Sequence, residues 1–571
     1  MNEEQDNSNL KFTEIIKNFI VKKREVTWKA LLFGLLFGAI LASANVYLAM
    51  KVGAFNPGSM PGAILGSGLL HLFGSSNLIL ETNIIQTIAS AGANFSGVFF
   101  GALPVASHFD VMPPYFLMVL YLAFGGIVGI SLTVLFRRYL VVEEGLPYPS
   151  GTAVGNTLEV VNEGKSSIKK MKLLLSGLVI ASVVALLQSQ IFNGFLPSAI
   201  NFTDKLPNGF MYGIAFSPLL LGFGYIMGLK SAIGYFSGTV LSWLIISPVV
   251  VSQGIVEKAA WAPIAKLIAS PASGLLIGGT LLPMVINFES VINAFKALAN
   301  FRSKGDGQSE EQDDTELDLP LKVPLIIIGI GALLMIFSFG NYAPLWGFPF
   351  VIVLAIVFGL VAARATGETG ICPTSLFVWI AMAAIGAFIT KNPGVIAFLA
   401  GIAAVAVGQA SDSMNDLKTG HMVKATPASQ QLVQYAGLIG GAIAAPFAFK
   451  VIVEAHGIFN QQFPVPFGVV AKGIVTSISQ GTNPFNGLTL SAGLLGGGVL
   501  SFFGLPALPV GLGMFAPVTF GPTVLIGGLI RKYLSSKGEE EEDDGVAFFS
   551  GALAGQGLMG VITAAIIAFF L

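Results

Sequence analysis

The chain has 571 residues, 54% of them hydrophobic and only 11% charged, against about 25% charged in an average soluble domain. Thirty Lys and Arg nearly cancel 31 Asp and Glu, and the net charge of -1 leaves no basic footprint for nucleic acid. A single cysteine excludes a disulfide framework and any cysteine-cluster metal site. So much apolar surface exceeds what a soluble core can hide, and the composition is that of a polytopic membrane protein.

About 20 apolar residues are needed to cross the hydrocarbon layer, and sixteen such runs are predicted in chain order. A polar leader, 1–27, carries Lys11, Lys17, Lys22, Lys23 and Arg24. The span that follows is too long for a cleavable signal and lacks a small-residue cleavage site. The first eight spans lie near 28–50, 58–74, 82–105, 113–136, 172–192, 209–229, 231–252 and 271–293. A charged stretch at 296–320, containing SKGDGQSEEQDDTELD, reads as a disordered cytoplasmic linker. The second eight lie near 321–341, 347–366, 372–390, 393–411, 429–451, 485–504, 507–530 and 546–571. Lys and Arg in the leader and in the fourth-to-fifth connection (Arg137, Arg138, Lys165, Lys169, Lys170, Lys172) place both termini in the cytoplasm of a cell-membrane protein. Arg531, Lys532 and Lys537 dissent from that orientation.

The linker falls near the midpoint, and the two sides show traces of duplication. Glu81–Thr87 and Glu368–Thr374 share E-T-x-I-x-x-T at an offset of 287 residues. Ala232–Leu241 (AIGYFSGTVL) matches Ala516–Leu525 (APVTFGPTVL) at 284, and Tyr148-Pro149-Ser150 faces Thr426-Pro427-Ala428 at 278. Eight spans per half is an even number, so both halves enter from the same side. The expected fold is all-α: two parallel eight-helix repeats, 28–295 and 321–571, related by a pseudo-two-fold along the membrane normal.

No G-x-x-x-x-G-K-[ST] and no H-E-x-x-H occur, so neither nucleotide binding nor a resident metal is expected. The G-x-G-x-x-G at Gly555–Gly560 has no strand before it and reads as helix packing, as do Gly551–Gly555 and Gly496–Gly498. With no cofactor, energy must come from an ion gradient or a separate subunit. Ionisable groups at membrane depth are costly and each needs a reason. Glu81 opens a span rich in small polar groups, of which Asn83, Thr87, Ser90 and Asn94 share a helix face. Glu368 takes the matching place in the second half, and Glu289 in the eighth span is a further candidate for proton binding. The alternative for each glutamate is stabilisation of a helix N-terminus. Gln188, Gln190, Gln409, Gln434 and Tyr435 add uncharged groups that suit either peptide amides or helix–helix hydrogen bonds. Pro147 and Pro149 forbid a regular helix, after which Ser150-Gly151-Thr152 restarts one, as a re-entrant or interfacial helix or an ordinary turn.

Two longer motifs carry a family resemblance. Ser411-Asp412-Ser413-Met414-Asn415-Asp416-Leu417-Lys418-Thr419-Gly420, followed by Pro427, Ser429 and Gln434, resembles the S-D-x-M-x-D-x-K-T-G segment of the oligopeptide transporter (OPT) family. The likeness is to its prokaryotic and yellow-stripe-like branch, whose Y-P-S-G-T-A segment is matched by Tyr148-Pro149-Ser150-Gly151-Thr152-Ala153. The resemblance implies sixteen helices and proton-coupled import of small peptides or metal–chelate complexes, with no enzyme activity. Asp412 and Asp416, four apart at the end of the twelfth span, share a helix face. They could meet Arg137 or Arg138 and form, with Lys418, a gate or a static inter-half clamp, or they could be a solvated helix end. The expected substrate site lies between the halves, lined by Asn83, Gln86, Thr87, Asn94, Thr369, Thr374, Gln188, Gln434 and Tyr435, with Glu81, Glu368 and Glu289 for protons. Tyr148, Pro149, Ser150 and Thr152 join the gate motif. The partners implied are the lipid bilayer and a peptide or metal-chelate solute; a homo-oligomer is left open.

Overall fold

The computed structural model describes residues 25–570 except 76, 162–163, 287–291, 293–317, 341 and 371. Glu289, the leader 1–24 and the linker up to 317 thus lie outside the described residues. The rest is mostly helical. Ten helices are long and apolar enough to cross a membrane, or eleven when the bent pair around residues 100–101 counts as one span. Three shorter apolar helices accompany them among the described residues.

In chain order the first half contains α1 (Trp28–Val52), α2 (Ser59–Phe73), α3 (Leu78–Ala93), α4 (Ser96–Phe99), α5 (Ala102–His108) and α6 (Tyr115–Arg137). It continues with α7 (Pro149–Val161), α8 (Gly164–Gln188), α9 (Pro218–Val240), α10 (Ser247–Ser252) and α11 (Trp261–Ile286). The second half contains α12 (Lys322–Phe339), α13 (Gly347–Thr369), α14 (Thr374–Phe388), α15 (Pro393–Met422) and α16 (Pro427–His456). It ends with α17 (Pro466–Gln480), α18 (Gly487–Phe502), α19 (Ala507–Phe515), α20 (Phe520–Ser535) and α21 (Glu539–Phe570). A two-stranded antiparallel hairpin, β1 (Ala199–Asn201) with β2 (Gly213–Ala215), stands before α9.

Several expected spans take a different form. The run expected to begin at 209 starts instead as strand β2, and helix begins at Pro218, capped by the Ser217 hydroxyl accepting from Leu220 N–H. What reads as two apolar runs, 209–229 and 231–252, is one helical path broken at Gly228, whose φ of 78° only glycine adopts cheaply. The stretch 507–530 is likewise broken, by Ala516–Thr519 between α19 and α20. α17, which hydropathy alone did not suggest, is an additional amphipathic helix.

Glycines set the tightest packing. A Cβ on Gly177, Gly551 or Gly555 would strike the carbonyl of Phe548, Leu174 or Leu178, so α8 and α21 lie backbone to backbone. Gly274 and Gly278 meet Leu490 and Leu494 in the same way, while Gly493 and Gly497 meet Pro271 and Leu275, joining α11 to α18. Gly224 against Val524 and Gly527 against Leu221 join α9 to α20. Such close approach gains dispersion and costs little side-chain entropy, the usual source of helix association in lipid. Each pair takes one helix from each half, so the halves interleave. The G-x-G-x-x-G run is packing as expected: Gly557 meets Ala44 and Gly560 meets the Tyr47 ring.

Candidate functional site

α3 starts beside the first turn of α1, where Thr27 Oγ1 donates to Glu81 Oε2 at 3.2 Å. It runs parallel to α1, with Gly34 against Ile88 and Gly38 against Gly92, and stops at Asn94, about halfway along α1. α2 starts from that same level, with Gly58 against Ala89 and Ser90, and runs back down. Asn45 holds the junction: its amide donates to the carbonyls of Ala93 (3.1 Å) and Asn56 (3.0 Å). Two half-length helices thus end inside the protein, where broken backbone is tolerated only if its polar groups are met or line a polar space.

Those groups are met by α15. Asn94 Nδ2 donates to the Gly408 carbonyl (2.7 Å), and Gln409 Nε2 donates to the carbonyls of Ala91 (2.7 Å) and Asn94 (3.0 Å). One turn further stand two carboxylates. Ser90 Oγ donates to Asp412 Oδ2 at 2.9 Å, and Ser59 Oγ donates to Asp416 Oδ1 at 3.0 Å. The two serine oxygens are 3.1 Å apart, which makes a continuous row from one carboxylate to the other. Ser59 opens α2, so Asp416 also faces a helix N-terminus, which favours negative charge. Asp412 is 7% exposed and Asp416 0%. Among the described residues no Lys, Arg or His lies within ion-pair distance of either one. Below them Gln430 Nε2 donates to the Asp416 carbonyl and to Thr87 Oγ1, both at 3.0 Å. Gln86 Nε2 donates to Asn83 Oδ1 at 3.0 Å, and Thr87 Oγ1 to the Asn83 carbonyl at 2.7 Å. Among the described residues, Asp416 Oδ2, Asn83 Nδ2, Gln86 Oε1 and Gln434 Oε1 find no hydrogen-bond partner although buried. Unused capacity of this kind marks where water or a solute completes the network.

The expected lining residues divide among several places. Asn83, Gln86, Thr87 and Asn94 come together around the carboxylate pair, and Gln434 joins at its edge by donating to the Ser413 carbonyl at 3.2 Å. Tyr435 turns away to Ser131 (2.8 Å) and ties α16 to α6. Thr374 stands beside the Cys372 thiol (2.8 Å) and against Gly97. Thr369 Oγ1 donates back to the Ala365 carbonyl of its own helix.

Glu368 does not share a group with Glu81. The two open and close different helices: Glu81 is in the first turn of α3, and Glu368 is in the last turn of α13, which ends at Gly370 (φ 76°). Arg364 bridges Glu368 (2.9 Å) and Glu144 (2.6 Å). Tyr148 seals this knot: its N–H donates to the Gly367 carbonyl (2.8 Å) and its hydroxyl to the Ala363 carbonyl (3.1 Å). Burial pushes the Tyr148 phenol well above its usual range, so it stays a neutral donor. Arg137 and Arg138, the basic residues expected to meet Asp412 and Asp416, are engaged elsewhere, by Asp318 (3.0 Å) and Glu143 (3.6 Å).

The two family motifs touch. Thr419 Oγ1 donates to the Gly151 carbonyl (2.7 Å) and Gly151 N–H to Asn415 Oδ1 (3.3 Å). A Cβ at Gly151 would strike the Asn415 carbonyl, so only glycine admits this contact between α7 and α15. Thr152 Oγ1 donates to the Pro147 carbonyl (2.6 Å), while Pro149 and Ser150 are exposed and Lys418 half-buried.

A second polar region lies toward the other end of α1. Gln188 braces the loop before α9, donating to the Phe216 (2.6 Å) and Pro197 (3.3 Å) carbonyls. With Gln190 it lines a cavity of about 480 Å³ that also takes in Lys51, His456, Thr519 and Gln556. Lys51, directly after the first expected span at 28–50, is not among the expected site residues.

A multi-pass helical membrane protein, with helices broken around a buried polar core, is the class these features define. The family described as "OPT oligopeptide transporter protein" matches residues 25–567, and the chain belongs to it. A putative oligopeptide transporter of Haemophilus influenzae is 28% identical, over 92% of each chain. A metal-nicotianamine transporter of Arabidopsis thaliana is 24% identical over 89% of this chain and 84% of its own. An iron-phytosiderophore transporter of Zea mays, yellow stripe 1, is 24% identical over 80% of this chain and 70% of its own. The protein is a transporter and not an enzyme.

Proposed function

We propose that this protein is a secondary active transporter that uses the proton gradient across the cell membrane to take up short peptides or peptide-like metal chelates. The single observation that carries the reading is the Asp412–Asp416 pair. Two negative charges held in a dry interior without a cation cost several kcal/mol each, and uptake of a proton removes one of them. A solute or conformational change that brings water or an opposing group to the pair then releases that proton. In this reading the coupling role moves from Glu368, already neutralised by Arg364, to the aspartates. Glu81, about one and a half to two turns before Thr87 in α3, lies on the way between the pair and the cytoplasm.

The proposal includes the sixteen-span arrangement in two parallel repeats with both termini inside. It is supported by the two matched decapeptides, which lie on the two broken paths α9 and α19–α20. Two polar regions, one toward each end of α1, suit a carrier that opens alternately to either side. The metal-chelate reading is favoured by the two plant relatives, a metal-nicotianamine transporter and an iron-phytosiderophore transporter. Purified protein in vesicles, given an inward-directed proton gradient, is expected to accumulate a tripeptide or a metal–nicotianamine complex several-fold over the outside. Uptake of both solutes that is indifferent to the gradient would refute the coupling.

A further inference from the structure

The carboxylate pair leaves the opposite cavity without a role, and its chemistry is of the other sign. Of the residues lining this space of about 480 Å³, none is Asp or Glu. The charge it holds is that of Lys51, in the last turn of α1. Among the described residues Lys51 has no carboxylate partner; its ammonium donates to the Tyr47 hydroxyl at 3.2 Å. Three aromatic rings stand near the ammonium, Tyr47 at 5.1 Å, Phe520 at 5.6 Å and Phe463 at 6.0 Å from the ring centres. Ring faces stabilise a cation without using up its hydrogens, so donor capacity remains for a ligand. His456 lines the same cavity. The remaining wall carries uncharged amides and hydroxyls, among them Gln190, Gln461, Thr519 and Thr563. Ligand pockets typically have volumes of about 300–1,000 Å³ with a few placed polar groups, and this cavity falls within that range.

We infer that the cavity at the end of α1 is a binding site for a carboxylate of the transported solute, with Lys51 as its counter-ion. The inference deepens the transport reading and rests on it. A charge-assisted hydrogen bond from an ammonium is about twice as strong as a neutral one. The absence of any acidic wall residue keeps Lys51 from being neutralised internally, which would close the site to anions. The uncharged amides and hydroxyls receive the remaining polar groups of the solute and do not discriminate between a peptide backbone and a chelator. Both candidate solutes share this handle: a short peptide presents its C-terminal carboxylate, and an amino-carboxylate chelate presents several.

The test is equilibrium binding to the purified full chain in detergent, with no gradient. Failure of proton coupling therefore leaves it readable, and a loss at Lys51 leaves coupling at the aspartates intact. The probes are trialanine, trialanine amide and an iron–nicotianamine complex. The expected result is that at least one acid binds the parent chain and that its Kd rises about tenfold or more in Lys51→Met, equivalent to about 1.4 kcal/mol. Lys51→Arg should restore binding to within about threefold, since it keeps the charge. Trialanine binding with amide binding abolished points to the peptide, and binding of the complex alone to the chelate. Should Lys51→Met not fold, acetylation of Lys51 in the parent chain, read by mass spectrometry, is expected to slow several-fold when the bound acid is present. Equal affinity in Lys51→Met, equal binding of acid and amide with no chelate binding, absence of binding by any acid, or unprotected Lys51 would each overturn the inference.

Discussion

At the scale of single residues, the account turns on which carboxylates are neutralised by protein and which are not. Glu368 has Arg364 at 2.9 Å and a side chain 30% exposed; Asp416 has a serine hydroxyl and no exposure. Glu368→Gln is therefore expected to keep gradient-driven uptake within about twofold, while loosening the knot with Tyr148 and lowering thermal stability by about 1 kcal/mol, the scale of a partly exposed pair. Ser59→Ala removes one donor from Asp416 and is expected to reduce uptake about three- to tenfold, the kinetic equivalent of one hydrogen bond to a charge. Initial rates in vesicles and unfolding in detergent measure both; coupling lost in Glu368→Gln with Ser59→Ala silent would reverse the assignment. The motif residues Asp412 and Asp416 were legible as a family signature. Their burial was not: hydropathy ends the span at Ser411, where the helix in fact continues to Met422. The serines that engage them lie more than 300 residues away in sequence. Lys51 carries no comparable signal in the sequence, since a basic residue at the end of a span is common at the membrane interface.

At the scale of helices, glycine spacing decides which surfaces meet. Gly496 and Gly497 on α18 are adjacent but differ: a Cβ at Gly497 would strike the Leu275 carbonyl of α11, whereas one at Gly496 meets open space. Gly497→Ala is expected to destabilise by about 1–3 kcal/mol through overpacking. Gly496→Ala should be neutral or stabilise by up to about 1 kcal/mol, the helix-propensity difference. Thermal unfolding of the two variants side by side checks this, and equal melting would show that α11 and α18 are not in backbone contact. The helices themselves were largely readable as apolar runs, and so was the packing role of Gly497, Gly551 and Gly555, but Gly496 meets open space. The breaks were harder to see. Gly228 and the Ala516–Thr519 loop interrupt helices that stay apolar on both sides, and apolar content carries no record of direction.

At the scale of the whole molecule, helices of the two halves pair with one another, α8 with α21, α9 with α20 and α11 with α18. That interleaving could not be inferred from the linker at the chain midpoint, because a charged connection separates halves in sequence only. On the proposed reading, movement of one half would be accommodated along these glycine-lined contacts, where sliding meets few interlocking side chains. The broken helices α2 and α3 end beside α15, so the carboxylate pair sits where such sliding would change its surroundings. On the proposed reading, the carrier would bind its solute near one end, take up a proton at the aspartates, and release both after reorienting. The most direct test is to compare net accumulation with solute exchange in vesicles for the parent chain and Asp416→Asn, which mimics a permanently protonated site. The expected result is that the variant exchanges labelled for unlabelled solute at close to the parental rate but no longer accumulates it under a proton gradient. Accumulation that persists in Asp416→Asn, with unchanged proton influx, would contradict the account.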